Sequence, residues 1–203
     1  AGDSGFVRLI MGDSYVNMTL ENIDKGDPMA VYKQMNGVDM FLGITFNNIR
    51  VSFFAFMMGL LVSFGTAWIL ISNGIMLGAF QYFFYIHNLL FESVLVIWIH
   101  GTLEISAIII AGAAGLVLGN SILFPGTYSR RQSFMIASKE GLKIIVSLIP
   151  IFIIAGFLES FVTRLTGMPA FLSLTIILSS LAFVVWYFFI YPSKIYNKMA
   201  TEN

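Results

Sequence analysis

The chain is expected to fold as an all-α, polytopic bundle of transmembrane helices, and three observations lead there. It is 58% hydrophobic and only 11% charged over 203 residues, where a soluble domain is about 45–50% apolar and roughly 25% charged. Its mean hydropathy is +0.85. Its charges are gathered in a few stretches, separated by uncharged runs long enough to cross a lipid core. That much apolar surface exceeds what a core of this size can bury, so lipid is its solvent.

About five membrane segments are expected. Residues 1–46 are the soluble-looking region, read as an extracytoplasmic loop with six acidic residues against three basic ones. The opening "AGDSGF" has no initiator Met and no basic-then-apolar signal pattern, so upstream sequence is expected. "YVNMTLENIDKGDPMAVY" offers a helix, a Gly-Asp-Pro break and a second short helix. Residues 38–50 read as an interfacial helix or the lead-in to a span, with Asn47, Asn48 and Arg50 at the membrane edge.

Val51 to Ile71 is a run of 21 uncharged residues, enough at about 1.5 Å per residue to cross a core of roughly 30 Å. It is expected to be the first full span, ended by "SNG" at 72–74. Residues 75–119 allow two arrangements. One is a helical hairpin turning near 96–100. The other is a pair of half-helices broken around His87-Asn88, followed by a full span from His100. Backbone broken at membrane depth is tolerated only where protein or a water-filled cavity surrounds it.

Residues 120–143 read as a loop and an amphipathic stretch bearing Arg130, Arg131, Lys139 and Lys143. Ile144 to Leu158, starting a few residues earlier, is the next span, with a kink at Pro150. "ESFVTRLTGMP" reads as a short external turn whose Glu159 and Arg164 are solvated. Phe171 to Tyr191 is the last span, anchored by Trp186, Tyr187, Tyr191, Lys194 and Lys198. Residues 47–193 thus form the membrane domain and 194–203 a cytoplasmic tail. The 120–143 loop and the tail hold six of the 11 basic residues, which directs both to the cytoplasm and residues 1–46 outside.

One stretch concentrates the polar chemistry. In "VIWIHGTLEISAIIIAGAAGLVLG", His100 and Glu104 are four residues apart and share a helical face. An ionisable group in lipid costs several kcal/mol unless it is paired or wet, so the pair points inward. Its readings are a buried polar contact pinning the helix, a proton or ion relay, or a metal site. The last would need Glu92, His87 or Asn88 to supply further ligands. Glu92, in apolar sequence, joins His100 and Glu104 as the candidate intramembrane site. "HGTLE" is not a zincin helix, since no second histidine follows. Ala107, Ala111, Gly115 and Gly119 recur every four residues and form a smooth packing face.

Other functions are disfavoured. Zero net charge implies no nucleic-acid partner. The absence of cysteine excludes disulfides, thiolate metal sites and cysteine nucleophiles. No phosphate loop, dinucleotide turn or nucleophile elbow is present. The chain is therefore read as a non-enzyme with no cofactor and no resident metal.

Asn47-Asn48 before a Gly-rich span, Asn73-Gly74 after it, and His100-Gly101 with Glu104 opening a small-residue helix together resemble the stage II sporulation protein M family of multi-pass bacterial membrane proteins. The family's proline before the histidine is Ile99 here. The resemblance covers about residues 40–160. It implies a bacterial cytoplasmic-membrane protein without enzymatic activity. The sporulation member works with two partners in a complex that remodels peptidoglycan during engulfment, and a partner supplies the hydrolase. Relatives tend to carry an N-terminal cytoplasmic region and one further span. The expected function is thus a scaffold of a cell-envelope complex, with lipid, other envelope proteins and further copies of itself as partners. A transporter or channel using His100, Glu104 and Glu92 is the alternative; a membrane metalloenzyme is a third reading.

Overall fold

A computed structural model of the chain describes residues 4–33, 36–165 and 167–201. Among these residues every regular element is helical. The N-terminal part is a small cap. Helix α1 (Ser4–Met11) turns at Gly12, whose φ of +85° suits glycine, into α2 (Asp13–Asp24). Gly26 breaks that helix at φ +78°, and a 3₁₀ turn follows at Ala30–Lys33. This is the helix, break and helix expected from the sequence. The cap buries Val7, Val16, Met29 and Tyr32 against Phe83 and Phe84, so its amphipathic helices find their apolar partner on the membrane bundle.

Five helices are long and apolar enough to cross a membrane. The first is α3 (Gly37–Met57), extended by a 3₁₀ turn to Leu60. Its N-cap is Asn36, whose side chain accepts from the Val38 N–H at 2.9 Å. The chain then turns at residues 61–63, where Val62 and Ser63 take φ of 56° and 68°. Helix α4 (Phe64–Ile86) runs back, and a second turn at 87–89 leads into α5 (Leu90–Leu123). After a loop, Ser129 and Gln132 form a reciprocal capping box at the start of α6 (Arg130–Phe157). A π turn at Leu158–Val162 prolongs α6. The last span is α7 (Ala170–Val185), continued by a π turn and α8 (Tyr191–Thr201).

Two expectations about boundaries are corrected. The uncharged run 51–71 is not one span but the end of α3, a turn and the start of α4. Lipid-like composition hides this turn because its polar groups are satisfied within the protein. The Thr66 hydroxyl donates to the Ala55 carbonyl at 2.6 Å, and Ser63 donates to the Leu116 carbonyl at 3.1 Å. Residues 38–50 are accordingly the first half of a span, which carries Asn47, Asn48 and Arg50 inside α3 rather than at its edge. The hairpin arrangement holds for 75–119, but it turns at 87–89. His87 and Asn88 do mark a break, with Asn88 at φ 59°. The helices on either side are full spans, so His100 lies well inside α5.

Helix α5 is the hub, packed against α3, α4, α6 and α7. Its small residues Ala107, Ala111, Gly115 and Gly119 are all buried. A methyl group on Gly115 would stand 2.6 Å from the Ala55 carbonyl oxygen, and one on Gly119 would stand 2.7 Å from that of Gly59. The α3–α4 turn therefore sits directly on the lower half of α5. Pro150 lies within α6 on an exposed position.

Candidate functional site

The upper half of α5 is built differently. His100 and Glu104 project from its inner face, one turn apart. His100 is buried, at 5% exposure. Its Nδ1 lies 3.2 Å from the Thr163 hydroxyl, which also lies 3.2 Å from the Leu158 carbonyl. A carbonyl only accepts, so the Thr163 hydrogen is committed there and its oxygen accepts from Nδ1–H. On this network the ring proton is assigned to Nδ1, which leaves Nε2 with a free lone pair. Nε2 faces Glu159 Oε1 at 3.7 Å.

Glu159 is the residue sequence reasoning missed. Its place in "ESFVTRLTGMP" predicts a solvated side chain at an external turn. Instead it lies in the π turn after α6, with its side chain 15% exposed, against His100. The π turn matters because an extra residue per turn changes which side chains face inward. Glu159, Ser160 and Thr163 all turn toward α5 or α3, and such turns often mark functional sites. The available signal was an acidic residue at the end of an apolar span, followed by Ser160 and Thr163.

His100, Glu104 and Glu159 form one group, their donor atoms all within 4.8 Å of one another. Asn48 of α3 lies against the Glu104 carboxylate. It is 5% exposed, and its Nδ2 makes no hydrogen bond of good geometry. Tyr32 of the cap closes the group from above, its ring edge-on to His100 at 6.1 Å between centroids. Burial, then the nearby Glu159 charge, holds the Tyr32 phenol well above its ordinary range. Among the described residues, the one basic side chain within 4 Å of either carboxylate is His100, beside Glu159.

A cavity of about 510 Å³ leads to this group between α4 and α5, roofed by the cap. His100, Gly101, Glu104, Asn73 and Gly74 line it, and exposed Met76 and Ile109 stand at its rim. Asn73 donates its amide to the Ile69 carbonyl at 2.8 Å.

The remaining candidate residues fall elsewhere. Glu92 is exposed in the first turn of α5, about 12 Å along the helix from His100. Asn47 and Arg50 are exposed on α3, with the Arg50 guanidinium over the Phe54 ring at 5.8 Å. His87 is bonded through Nδ1 to the Phe83 carbonyl at 2.7 Å. Arg164 donates to the Lys33 carbonyl at 3.3 Å and ties the end of the fourth span to the cap.

The family model described as stage II sporulation protein M matches residues 6–164. The match takes in the cap, the first four spans and every member of the polar group. No curated protein and no solved structure matches the chain.

Proposed function

We propose, from the premise that this chain belongs to the stage II sporulation protein M family, that it is a binding and assembly subunit of a bacterial cell-envelope complex. It sits in the cytoplasmic membrane with the cap outside and the C-terminus in the cytoplasm. It contributes to peptidoglycan remodelling by holding partner enzymes, not by catalysis of its own. The observation that carries this reading is the cap. Residues 4–33 are packed onto α4 through a shared apolar core. They turn Asp13, Glu21 and Asp24 to the exterior. A rigid polar platform held at the membrane surface is what an assembly subunit needs to present. The excess of basic residues after residue 123 supports the orientation.

The cavity reaching His100 and Glu104 favours a second reading, a transporter or channel. Site-specific photo-crosslinking from Glu21 and Asp24 in intact cells separates the two. The expected product is a discrete adduct with an envelope protein that carries peptidoglycan hydrolase activity. Adducts only with lipid or with other copies of the chain, together with ion flux in proteoliposomes that His100→Ala abolishes, would replace the first reading with the second.

A further inference from the structure

We propose that His100, Glu104 and Glu159 bind one divalent transition-metal cation at the floor of the α4–α5 cavity. Three features of the group carry this inference. The first is charge. Two partly buried carboxylates share a site with a neutral imidazole, and no cation stands within ion-pair distance of either among the described residues. Two like charges at such depth are costly without a compensating positive charge. A dication supplies that charge in one step.

The second feature is direction. Nδ1–H is used on Thr163, so the free lone pair of Nε2 points at Glu159 Oε1 across 3.7 Å. Two acceptors do not bond each other. Their separation is close to the roughly 3.4 Å between two ligands held at about 2.1 Å by a tetrahedral ion. A metal-ligating histidine almost always donates its other N–H to a neighbouring acceptor, which fixes the ring. The Thr163 hydroxyl, itself anchored on Leu158, does this here.

The third feature is Asn48. Its amide is buried beside Glu104, and Nδ2 makes no hydrogen bond of good geometry to that carboxylate or to any other acceptor. Such a group costs about 1–3 kcal/mol unless something engages it. It can donate to Glu104 once that carboxylate is drawn onto an ion, or present its oxygen as a fourth ligand. One imidazole nitrogen and carboxylate oxygens suit zinc, manganese, iron(II) or cobalt(II), and the cavity provides access. Ligand exchange leaves the metal's charge balanced by Glu104 and Glu159, and no electron transfer is involved.

The test uses the full chain in detergent, stripped with a chelator and titrated with zinc(II) and with cobalt(II). One equivalent of each is expected to bind, cobalt giving visible d–d bands. Glu159→Gln and Glu104→Gln should each lower affinity at least 100-fold, Thr163→Val by about 10–100-fold, and Glu92→Gln not at all. Zinc should raise the melting temperature of the wild type and leave that of Glu159→Gln unchanged. Without metal, Glu159→Gln should melt no lower than the wild type, since the amide relieves the clash of acceptors. That comparison separates loss of a ligand from loss of the fold. A stripped wild type that binds neither ion more tightly than Glu159→Gln overturns the proposal. So does wild-type binding that Glu159→Gln and Glu104→Gln leave intact.

Discussion

The two halves of α5 solve opposite problems. From Gly112 to Gly119 the helix meets the α3–α4 turn and α4 so closely that the nearest neighbours are carbonyl oxygens, hydroxyls and Leu70. From His100 to Glu104 the same helix stands back from α4 and leaves the cavity of about 510 Å³. A packed seam gains its stability from dispersion over many close contacts. A cavity lined with ionisable groups forgoes those contacts. The contrast implies that the lower half holds the bundle together and the upper half is kept open for use.

Paired glycine substitutions test this division, and the largest effect is expected at Gly115. A methyl group there would lie 2.6 Å from the Ala55 carbonyl oxygen and 2.7 Å from the Thr66 hydroxyl. Gly115→Ala should cost at least about 1–3 kcal/mol through helix separation. Gly101→Ala should be tolerated, because its methyl would meet only Ile105 and Ile97 at 3.7 and 3.8 Å. The gain in helix propensity is up to about 1 kcal/mol. Thermal unfolding of the detergent-solubilised pair measures both. If Gly115→Ala melts with Gly101→Ala, the seam is not what holds the bundle.

Thr163→Val should have the next largest effect. It removes the acceptor for His100 Nδ1–H, leaving a donor buried without a partner, for about 1–3 kcal/mol. Thr163→Ser keeps the hydroxyl and should retain most of that stability. A serine variant as unstable as the valine variant would show that packing of the methyl, not the hydrogen bond, matters there. Glu92→Gln, on the exposed first turn of the same helix, should change stability by less than about 0.5 kcal/mol.

Much of this was legible in the sequence, and what was not has physical causes. The number of spans, about five, and the helix–break–helix of the cap follow from charge placement and from Gly26 and Pro28. The turn at 61–63 is hidden because Leu61 and Val62 are as apolar as any span residue, its backbone bonds are local, and the hydroxyls of Ser63 and Thr66 are satisfied by tertiary contact with the Leu116 and Ala55 carbonyls. The first half of α3 was disguised in the opposite way. Asn48 looks like a membrane-edge residue until Glu104 is placed beside it. For the polar group, the i, i+4 spacing brought His100 and Glu104 together without the structure. Periodicity along one helix cannot join α5 to the end of α6, so it points to Glu92, nearer in sequence, and not to Glu159. Only the packing of α6 on α5 brings Glu159 to His100.

An effect confined to high pH is predicted for the cap, which closes the upper half. Burial pushes the Tyr15 phenol up to about 12, whereas an unfolded tyrosine titrates near pH 10. The folded cap thus keeps a proton that the unfolded cap releases. Its contribution is complete below about pH 10 and is lost as pH rises toward 12. Tyr15→Phe has no proton to lose, so cap stability should fall less steeply over that window. Tyr32, also buried and raised, keeps part of the slope. Amide exchange of residues 4–33, corrected for its intrinsic pH dependence and compared at pH 9 and pH 11, measures the difference. Because the cap roofs the cavity, its opening should also speed zinc release from the wild type between these two pH values, and speed it less in Tyr15→Phe. Equal acceleration in both proteins would mean that the ion leaves between α4 and α5, past Met76 and Ile109, without the cap moving.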